Sequence, residues 1–538
     1  MSKPNIILFF TDQQRSDTLG LLNPLMKTPN LDRLAEEGCL YENAYSPNPV
    51  CIPARHNVLT GLTDKFHGFS ANAMRPMKEA LPTIPQLLGD QQYHCEAIGK
   101  MHFSPMRNHH GFHRMQLMEE TPKYRQDDDY LLYLKENGLG NVQHQHGVRH
   151  LLYHQPQRSL VPEKHHGSKW VADRTIDFLQ KNQKDPFFLW VSWIQPHPPY
   201  NIPDEWAELY NDVDIPEPIA PIEYEKLPPK IRNASGIGDM TGDMPRIMRQ
   251  KRAYYSAISY VDHQLGRILD ELDQQNLTED TLIIFTSDHG EMLGDLGLFQ
   301  KASPYDGAAK IPFILKYPGK IAKGQRKLEF VDLNDVLPTI LAAAGVEYNG
   351  QHELPGESLL VDNGQKDRSL QYSANGQIKY EHGANRWRML RNEQYKYVQF
   401  YNGGFELFLD LENDPHENNN LMEGPLSSEQ NENYHYLKSN LIKYEELWGI
   451  DDCVQDGELN KMEAFGNVKN PNNRNTQLPS WPPQLVVKEE IDFLTPLEDE
   501  IIKSIEKEPL VNLSKLDLEF WAEKTGKHEM AERFKNIK

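Results

Sequence analysis

Short apolar runs, separated by segments of helical length, recur through the first 345 residues of the chain. Most of these runs lack polar–apolar alternation, which is the pattern of strands that helices cover on both faces. Helical patterns lie between them at residues 28–38, 168–181 and 253–275. The order predicts an α/β fold in which a mostly parallel sheet is sandwiched by helices. The predicted strands are residues 6–10, 93–98, 187–193, 282–285 and 313–317.

The pattern changes after about residue 370. Strand-like runs at 387–391 and 395–400 predict an antiparallel hairpin, followed by a third strand at 405–411 and a helix at 434–448. These elements indicate a smaller C-terminal α+β domain. The last segment contains an Asn/Pro-rich linker near 466–483 and two acidic amphipathic helices. We therefore expect three parts: an α/β domain over 1–370, the smaller domain over 371–465, and a C-terminal extension over 466–538.

Charge and hydropathy exclude several classes of function. The 538 residues include 57 Lys and Arg against 78 Asp and Glu, a formal net charge of −21. Binding of nucleic acid or of an anionic membrane needs a basic surface, so we expect neither partner. No run approaches the roughly 18 apolar residues that span a bilayer. The five apolar residues 6–10 are too few for a signal peptide, which predicts a cytoplasmic protein, or a periplasmic or secreted one if a leader was removed.

Reactive side chains follow four of the predicted strands. The carboxyl ends of parallel strands meet at one edge of the sheet, where open α/β sheets bind their ligands. Two carboxylates, a carboxamide and a histidine suit a cation, whereas two lysines and two further histidines suit an anion with protons to transfer. Each residue alone is more often an ordinary turn or surface residue, but four complementary strand ends predict a site. The residues are Asp12 and Gln13, then Lys100 and His102, then His197, and finally Asp288, His289 and Lys301.

A candidate anion-binding helix begins near Cys51. Pro53 suits the first helical turn and Gly61 suits the residue after the last one. Cys51 would lie at the helix N-terminus, which favours an anion, and Arg55 can form paired hydrogen bonds with oxyanions. The four cysteines have no disulfide-framework spacing, so a cysteine that matters should act singly. The alternative is an ordinary buried cysteine before a helix.

The segment from Cys51 to Arg55, followed by a helix and Thr60-Gly61, resembles the signature of the type I sulfatases in the alkaline-phosphatase-like superfamily. The resemblance covers residues 4–420 and several motifs in the family's order. In that family a maturase oxidises the cysteine to formylglycine after translation. The further matching segments are Pro4-Asn-Ile, Thr28-Pro-Asn-Leu-Asp-Arg-Leu34, Gly99-Lys-Met-His102, Asp288-His-Gly with Lys301, and the hairpin region 387–415.

The resemblance implies one divalent metal. Its ligands would be Asp12, Gln13, Asp288, His289 and an oxygen of the modified Cys51. Many sulfatases have Asp at the position of Gln13 and Asn at that of His289; the variant here resembles choline sulfatases, phosphonate monoester hydrolases and some glycan sulfatases. Oxygen-rich ligation favours Ca²⁺, while a histidine ligand makes Mg²⁺ or Mn²⁺ acceptable.

The resemblance also implies catalytic roles. One hydroxyl of a formylglycine hydrate attacks sulfur and expels the alcohol, and the other lets the sulfate leave. Lys100 and Arg55 would hold the hydrate, with His102 as the base for sulfate release. His197 and Lys301 would contact the sulfate, and one of them would protonate the leaving oxygen. We expect His109 and His110 near the substrate, and Trp387, with Arg386 and Arg388, at the rim of the pocket.

The leading hypothesis is therefore a sulfuric ester hydrolase that cleaves a sulfate monoester, and we expect that ester on a sugar. A phosphonate monoester or phosphodiester hydrolase, or a choline sulfatase, on the same scaffold is the alternative enzyme. A catalytically silent protein that binds ligands at the metal cleft is the alternative from another class. It would keep Cys51 unmodified even when a maturase is present.

Overall fold

The computed structural model describes residues 3–461 and 495–535, apart from 123, 150–154, 182–184, 224–225, 227, 229–242, 362–365, 377–385, 496, 508–517, 519–521, 523–525 and 527. These residues form a central sheet of nine strands, a second sheet of four strands and the helices that cover both.

The central sheet is mostly parallel, as predicted. Its strands are β1 (Asn5–Asp12), β2 (Cys39–Tyr45), β3 (His94–Gly99), β4 (Arg114–Leu117), β5 (Phe187–Pro196), β6 (Thr281–Ser287), β7 (Lys310–Ile311), β8 (Phe313–Lys316) and β9 (Gln325–Asp332). The strand order is β9-β2-β8-β6-β1-β5-β3-β4, with β7 paired to β2. Only β7 and β8 run against the others among the described strands. The prediction missed β4 and β9, which are polar edge strands, as well as β2 and the two-residue β7.

Helices cover both faces of this sheet. They are α1 (Pro29–Glu36), α2 (Cys51–Thr60), α3 (Asp64–His67), α4 (Ile84–Gly89), α5 (Asp129–Glu136), α6 (Gly167–Gln180), α7 (Asp204–Ala207), α8 (Met244–Gln274), α9 (Asp306–Ala309) and α10 (Val336–Ala344). Alternate residues of β1 separate the two cores: Leu8 packs with α2, α4 and α10, whereas Phe9 packs with α1, α6 and α8. This arrangement confirms the predicted α/β sandwich.

Helix α8 begins at Met244, earlier than the predicted start at 253. The carboxylate of Asp243 caps it by accepting a hydrogen bond from the Arg246 amide at 3.1 Å. The apolar periodicity that predicted this helix does not extend into its first turns, whose buried residues include Gln250 and Lys251. Of the described helices, none combines the length and the apolar composition needed to cross a membrane.

The second sheet confirms the predicted C-terminal hairpin and its third strand, and adds a strand before them. Its strands, in order across the sheet, are β10 (Gln371–Asn375), β11 (Trp387–Arg391), β12 (Tyr395–Phe400) and β13 (Glu406–Asp410), all antiparallel. Helix α11 (Ser428–Trp448) packs on one face, and residues near the central sheet, such as Tyr45 and Phe330, pack on the other.

The C-terminal extension contributes two described helices, α12 (Leu497–Lys507) and α13 (His528–Phe534). They share a hydrophobic cluster with Val148 of the central-sheet part. The predicted linker at 466–483 lies outside the described residues.

Candidate active site

The strand register brings the predicted residues to one edge of the central sheet. Thr11 of β1 is the register partner of Ser287 of β6, and Asp12 is the register partner of Pro196 of β5. The residues that follow these strands, including Asp288 and His197, therefore meet beside Asp12. All are buried.

Gly99 allows Lys100 to join this edge. It ends β3 with a positive φ of 97°, and a Cβ at this position would lie 1.9 Å from the carbonyl oxygen of Ser192. Only glycine accepts both this conformation and this approach. The Lys100 amide then donates to the same Ser192 oxygen at 3.1 Å, which directs the lysine side chain from β3 towards the site.

Cys51 is the first residue of α2, and all ten residues of this helix are buried. The thiol Sγ lies 3.2 Å from Nε2 of His289 and 3.9 Å from Oδ1 of Asp12. Burial, with Asp12 nearby, raises the pKa of the Cys51 thiol to about 11. The unmodified thiol is therefore protonated at neutral pH and is a poor nucleophile.

Four of the predicted metal ligands form one buried cluster. The candidate ligand atoms of Asp12, Cys51, Asp288 and His289 all lie within 4.8 Å of one another. Nε2 of His289 is 3.8 Å from Asp12 and 3.5 Å from Asp288. Ligands of one Ca²⁺ at about 2.4 Å are themselves roughly 3–4 Å apart, so these residues fit a divalent cation. Nδ1 of His289 donates to the Gly290 carbonyl at 3.0 Å, which leaves Nε2 free of a proton and suited to a metal.

The pKa values of the two carboxylates, Asp12 and Asp288, are shifted in opposite directions. Burial alone would raise the pKa of Asp12, but the positive charges of Lys100, Lys301 and Arg55 hold it well below its usual range. The pKa of Asp288 is raised, by burial and by the neighbouring charge of Asp12. A divalent cation between the two would offset their repulsion.

Gln13 contacts both Asp288 of the cluster and the side chain of Lys301. Its amide nitrogen donates to Asp288 at 2.9 Å, and its side-chain Oε1 accepts from Lys301 Nζ at 2.8 Å. Its Nε2 donates to the buried Glu291. That Gln13 binds the metal stays a prediction.

Arg55 and Lys100 bring positive charge to the cluster. Arg55 is fully buried and bonds to Asp288 through Nε at 3.2 Å and to Asp12 through a terminal nitrogen at 3.4 Å. Lys100 contacts Asp12 and bonds to Glu120 at 2.6 Å. Although burial disfavours the charged amine, these two carboxylates raise the pKa of Lys100.

The predicted proton-transfer groups are also present. Lys301 Nζ donates to Nε2 of His197 at 2.8 Å, and Nδ1 of His197 donates to the Pro198 carbonyl at 2.6 Å. Burial lowers the pKa of His197 and of His102 well below the usual value, so both rings are neutral. The His102 amide donates to Glu119 at 2.9 Å, and its Nδ1 has no hydrogen-bond partner among the described residues.

Sequence reasoning missed a second layer of buried acids and an arginine. Glu119 accepts from the Met101 and His102 amides, Glu291 accepts from Gln13, and Glu120 binds Lys100 and Arg149. Glu119 and Glu120 directly follow β4. A prediction of that short strand would therefore have placed both glutamates at the same edge of the sheet.

His109 and His110 differ in environment. His109 is exposed and its Nδ1 donates to the Phe112 carbonyl at 3.0 Å. The ring of His110 lies 4.6 Å from Phe103 and 6.1 Å from His56, measured between centroids. A role in substrate binding stays a prediction for both.

The expected rim around Trp387 is wrong. Trp387 is fully buried, and its Nε1 donates to the Ala302 carbonyl at 3.0 Å. Arg386 pairs with Asp452 at 2.8 Å and Arg388 with Glu445 at 2.7 Å, and both arginines are buried. Both faces of the second sheet are covered, so these residues pack instead of lining a pocket. Trp387 supports the backbone next to Lys301.

The buried rings of His56, which belongs to α2, and His67 lie near each other, and the half-buried His110 lies beside His56. Burial lowers the pKa of His56 to about 3 and that of His110 to about 4, and places that of His67 well below its usual value. The unfolded chain binds protons at these positions below about pH 6.5, whereas the folded protein does not. The stability they contribute is present above that pH and is lost as the pH falls towards their folded pKa values.

We therefore expect the free energy of unfolding to fall steeply below pH 6.5. Each such histidine adds up to about 1.4 kcal/mol per pH unit. Replacing His56 with Gln should reduce the slope between pH 6 and pH 4 by about one histidine's share, measured by denaturant unfolding. The exposed His416 is the control, and His416→Gln should leave the slope unchanged. An unchanged slope in His56→Gln would contradict the buried-histidine account.

Comparisons with known proteins show the family of the chain. The sulfatase family model matches residues 4–346, and a model described as the C-terminal part of N-sulphoglucosamine sulphohydrolase matches residues 294–446. An arylsulfatase of Clostridium perfringens is 33% identical over 474 residues, which cover 85% of this chain and 96% of the relative.

Two solved structures share the fold. The phosphonate monoester hydrolase of Agrobacterium radiobacter aligns with a TM-score of 0.69 and 23% identity over 82% of this chain and 95% of that one. A protein solved with its substrate D-glucosamine-2-N,6-O-disulfate aligns with a TM-score of 0.67 and 22% identity over 84% of this chain and 99% of that one.

The fold is of the alkaline-phosphatase-like class. The chain belongs to the sulfatase family, as the resemblance predicted, and it is a sulfatase, an enzyme that hydrolyses sulfate esters.

Proposed function

We propose that this sulfatase cleaves a sulfate monoester on a sugar, using formylglycine at position 51 and one divalent cation. The observation that carries the proposal is the position of Cys51. Its Sγ lies at the start of a buried helix, 3.2 Å from a ligand atom of the metal cluster, and its thiol is protonated. A formylglycine hydrate there supplies two hydroxyls on one carbon, one to bond to sulfur and one to let the sulfate leave.

Asp12, Asp288, His289 and Gln13 would hold the cation, which when bound supplies a Lewis acid beside position 51. Ca²⁺ is our choice because three of these four ligands are oxygen donors, and Mg²⁺ or Mn²⁺ would suit the same set.

The remaining residues provide charge and proton transfer. Arg55 and Lys100 place two cations beside Asp12, where they would hold the hydrate. Lys301 carries a proton next to His197 Nε2, so this pair would bind the sulfate and protonate the leaving oxygen. His102 is neutral, its Nδ1 has no hydrogen-bond partner in the described part of the chain, and it would take the proton when the sulfate is released. Preorganised charge around the sulfuryl oxygens would supply much of the rate.

The choice of a sugar is supported by the comparisons. One matching family model is named for N-sulphoglucosamine sulphohydrolase, and one structural neighbour was solved with a disulfated glucosamine as its substrate. A phosphonate monoester hydrolase is the second candidate, favoured by Gln13 and His289 in the ligand set and by the other structural neighbour. A choline sulfatase shares the same argument from Gln13 and His289.

A substrate panel tests the proposal. With enzyme produced alongside a maturase, we expect kcat/KM for at least one sulfated glucosamine or uronic acid to exceed that for aryl sulfates, choline sulfate and phosphonate monoesters by roughly tenfold or more. The Cys51→Ala variant, prepared identically, is the control for contaminating hydrolases. A phosphonate monoester preferred over every sulfated sugar would overturn the sugar assignment in favour of the second candidate.

A further inference from the structure

Glu120 lies between two residues of the proposed catalytic machinery. It is 5% exposed and follows β4 at the edge of the sheet. One carboxylate oxygen accepts from Lys100 Nζ at 2.6 Å. The other is 2.7 Å from a guanidinium nitrogen of Arg149 and 3.6 Å from Nδ1 of His197. A single buried carboxylate thus bonds to Lys100 and lies close to His197, whose Nδ1 donates to the Pro198 carbonyl.

The contact with Lys100 restricts a flexible side chain. An ammonium on a four-carbon stem has many conformations, and two carboxylates from different parts of the chain confine it more than one does. Asp12 is one anchor of Lys100, but it also belongs to the proposed metal set. Glu120 is the anchor outside that set, so it can hold Lys100 in place while Asp12 serves the cation.

Arg149 fixes Glu120 in turn. Arg149 is 3% exposed and ends a segment, residues 141–149, that has no regular secondary structure in the described chain. Such a segment needs support from elsewhere to place a buried guanidinium. Within the segment, the Val148 amide and carbonyl bond to the side chain of Gln157 at 2.8 and 2.9 Å.

The C-terminal extension supplies further support. Glu500 of α12 is 1% exposed and accepts from the backbone amides of Gln143 and His144 at 2.6 and 3.0 Å. Asn141 donates to the Thr495 hydroxyl at 3.0 Å. Val148 packs in one cluster with Ile501, Ile505 and other residues of α12 and α13. The two matching family models reach residue 446, so helices α12 and α13, which supply this support, lie outside the matched residues.

We propose that Glu120 is a positioning residue for Lys100 and His197, and that the C-terminal extension acts on the active site through segment 141–149 and Arg149. The inference rests on the proposed function, because it takes the roles of Lys100 and His197 from there. In this proposal the extension contributes to catalysis. Helix α12 stabilises segment 141–149, this segment holds Arg149 in position, and Arg149 orients Glu120.

The first test is Glu120→Gln, which keeps the shape of the side chain and removes its charge. We expect kcat to fall roughly 10–100-fold, as for other residues that orient catalytic groups, with KM within threefold and an unchanged formylglycine content. The loss should be larger for an alkyl or sugar sulfate than for 4-nitrophenyl sulfate, because only the poorer leaving group needs the proton that His197 and Lys301 deliver. A purely structural defect would lower both rates equally. A kcat within twofold of the wild type, or equal losses on both substrates, would overturn the proposal.

The second test is a double-mutant cycle, which compares kcat between single and double variants. Because it uses several variants, it does not depend on the folding of any one of them. Arg149→Met and Glu500→Ala should each lower kcat, Glu500→Ala by several-fold, and neither should lower it further in a Glu120→Gln background. Independent, multiplicative losses would refute action through Glu120. The exposed Glu506 on the same helix gives the matched control, and Glu506→Ala should match the wild type.

A third measurement needs no turnover. Hydrogen–deuterium exchange of the full chain should speed up at the Gln143 and His144 amides in Glu500→Ala and not in Glu506→Ala. Unchanged exchange would show that α12 does not stabilise the segment.

All activities are measured on the substrate of the panel that the wild type cleaves best, even if it is a phosphonate. Each rate is expressed per mole of formylglycine. An inactive wild type would count against the proposed function, whereas an active wild type with unaffected variants counts against this inference alone.

Discussion

A Cys51→Ala enzyme is expected to lose sulfatase activity by roughly four to six orders of magnitude, the scale seen when a nucleophile that acts in concert with its neighbours is removed. The melting temperature should change little, because a small residue replaces another at the start of α2. Cys51→Ser should be equally inactive or accumulate a sulfated serine, since it lacks the second hydroxyl that releases the sulfate. Rates on the best substrate and peptide mass spectrometry of residue 51 measure both effects.

Cys95 provides the control for this experiment. It is a second fully buried cysteine, located in β3 and away from the cluster of metal ligands. Cys95→Ala should cost some stability through the cavity it leaves and keep the wild-type kcat. Full activity in a preparation whose residue 51 is an unmodified thiol would refute the formylglycine mechanism.

Loss of the divalent cation is expected to lower the rate by roughly three orders of magnitude or more, because the charge beside position 51 is then supplied by side chains alone. Dialysis against a chelator should abolish activity, and added Ca²⁺ should restore it. Asp288→Asn should show the same loss without recovery at moderate Ca²⁺, since it removes one charged ligand while keeping the size of the side chain.

Asp262 is the matched control for that variant. It is a buried carboxylate on α8 that accepts from the Leu31 amide at 2.7 Å and lies outside the metal cluster. Asp262→Asn should retain metal and kcat even if it lowers stability. An enzyme shown by elemental analysis to be metal-free, yet running at the full rate, would contradict the metal requirement.

The sequence predicted much of the candidate site because its residues follow buried parallel strands. Position in the chain then implies position in space: Asp12, His197 and Asp288 meet because β1, β5 and β6 are neighbours in register. Apolar runs of strand length reveal such strands reliably when helices cover both faces.

The errors have equally specific causes. Glu120 was missed because β4 is short and polar, and Arg149 because a segment without regular structure carries no periodic signal. Trp387 was placed at a rim because arginines flank it. In the structure those arginines are themselves buried, with Tyr401 about 4 Å from each, so their charge did not indicate exposure. Such pairing depends on residues distant in sequence, here Asp452 and Glu445.

The complete burial of helix α2 has a consequence for the order of events in the cell. No residue of the segment from Cys51 to Thr60 reaches the surface in the folded protein. If Cys51 is oxidised as proposed, the oxidising enzyme would have to reach this segment before the sheet closes around it, during or just after synthesis. A chain that folded first would then keep the thiol. The fraction of active molecules would depend on the rate of oxidation relative to the rate of folding.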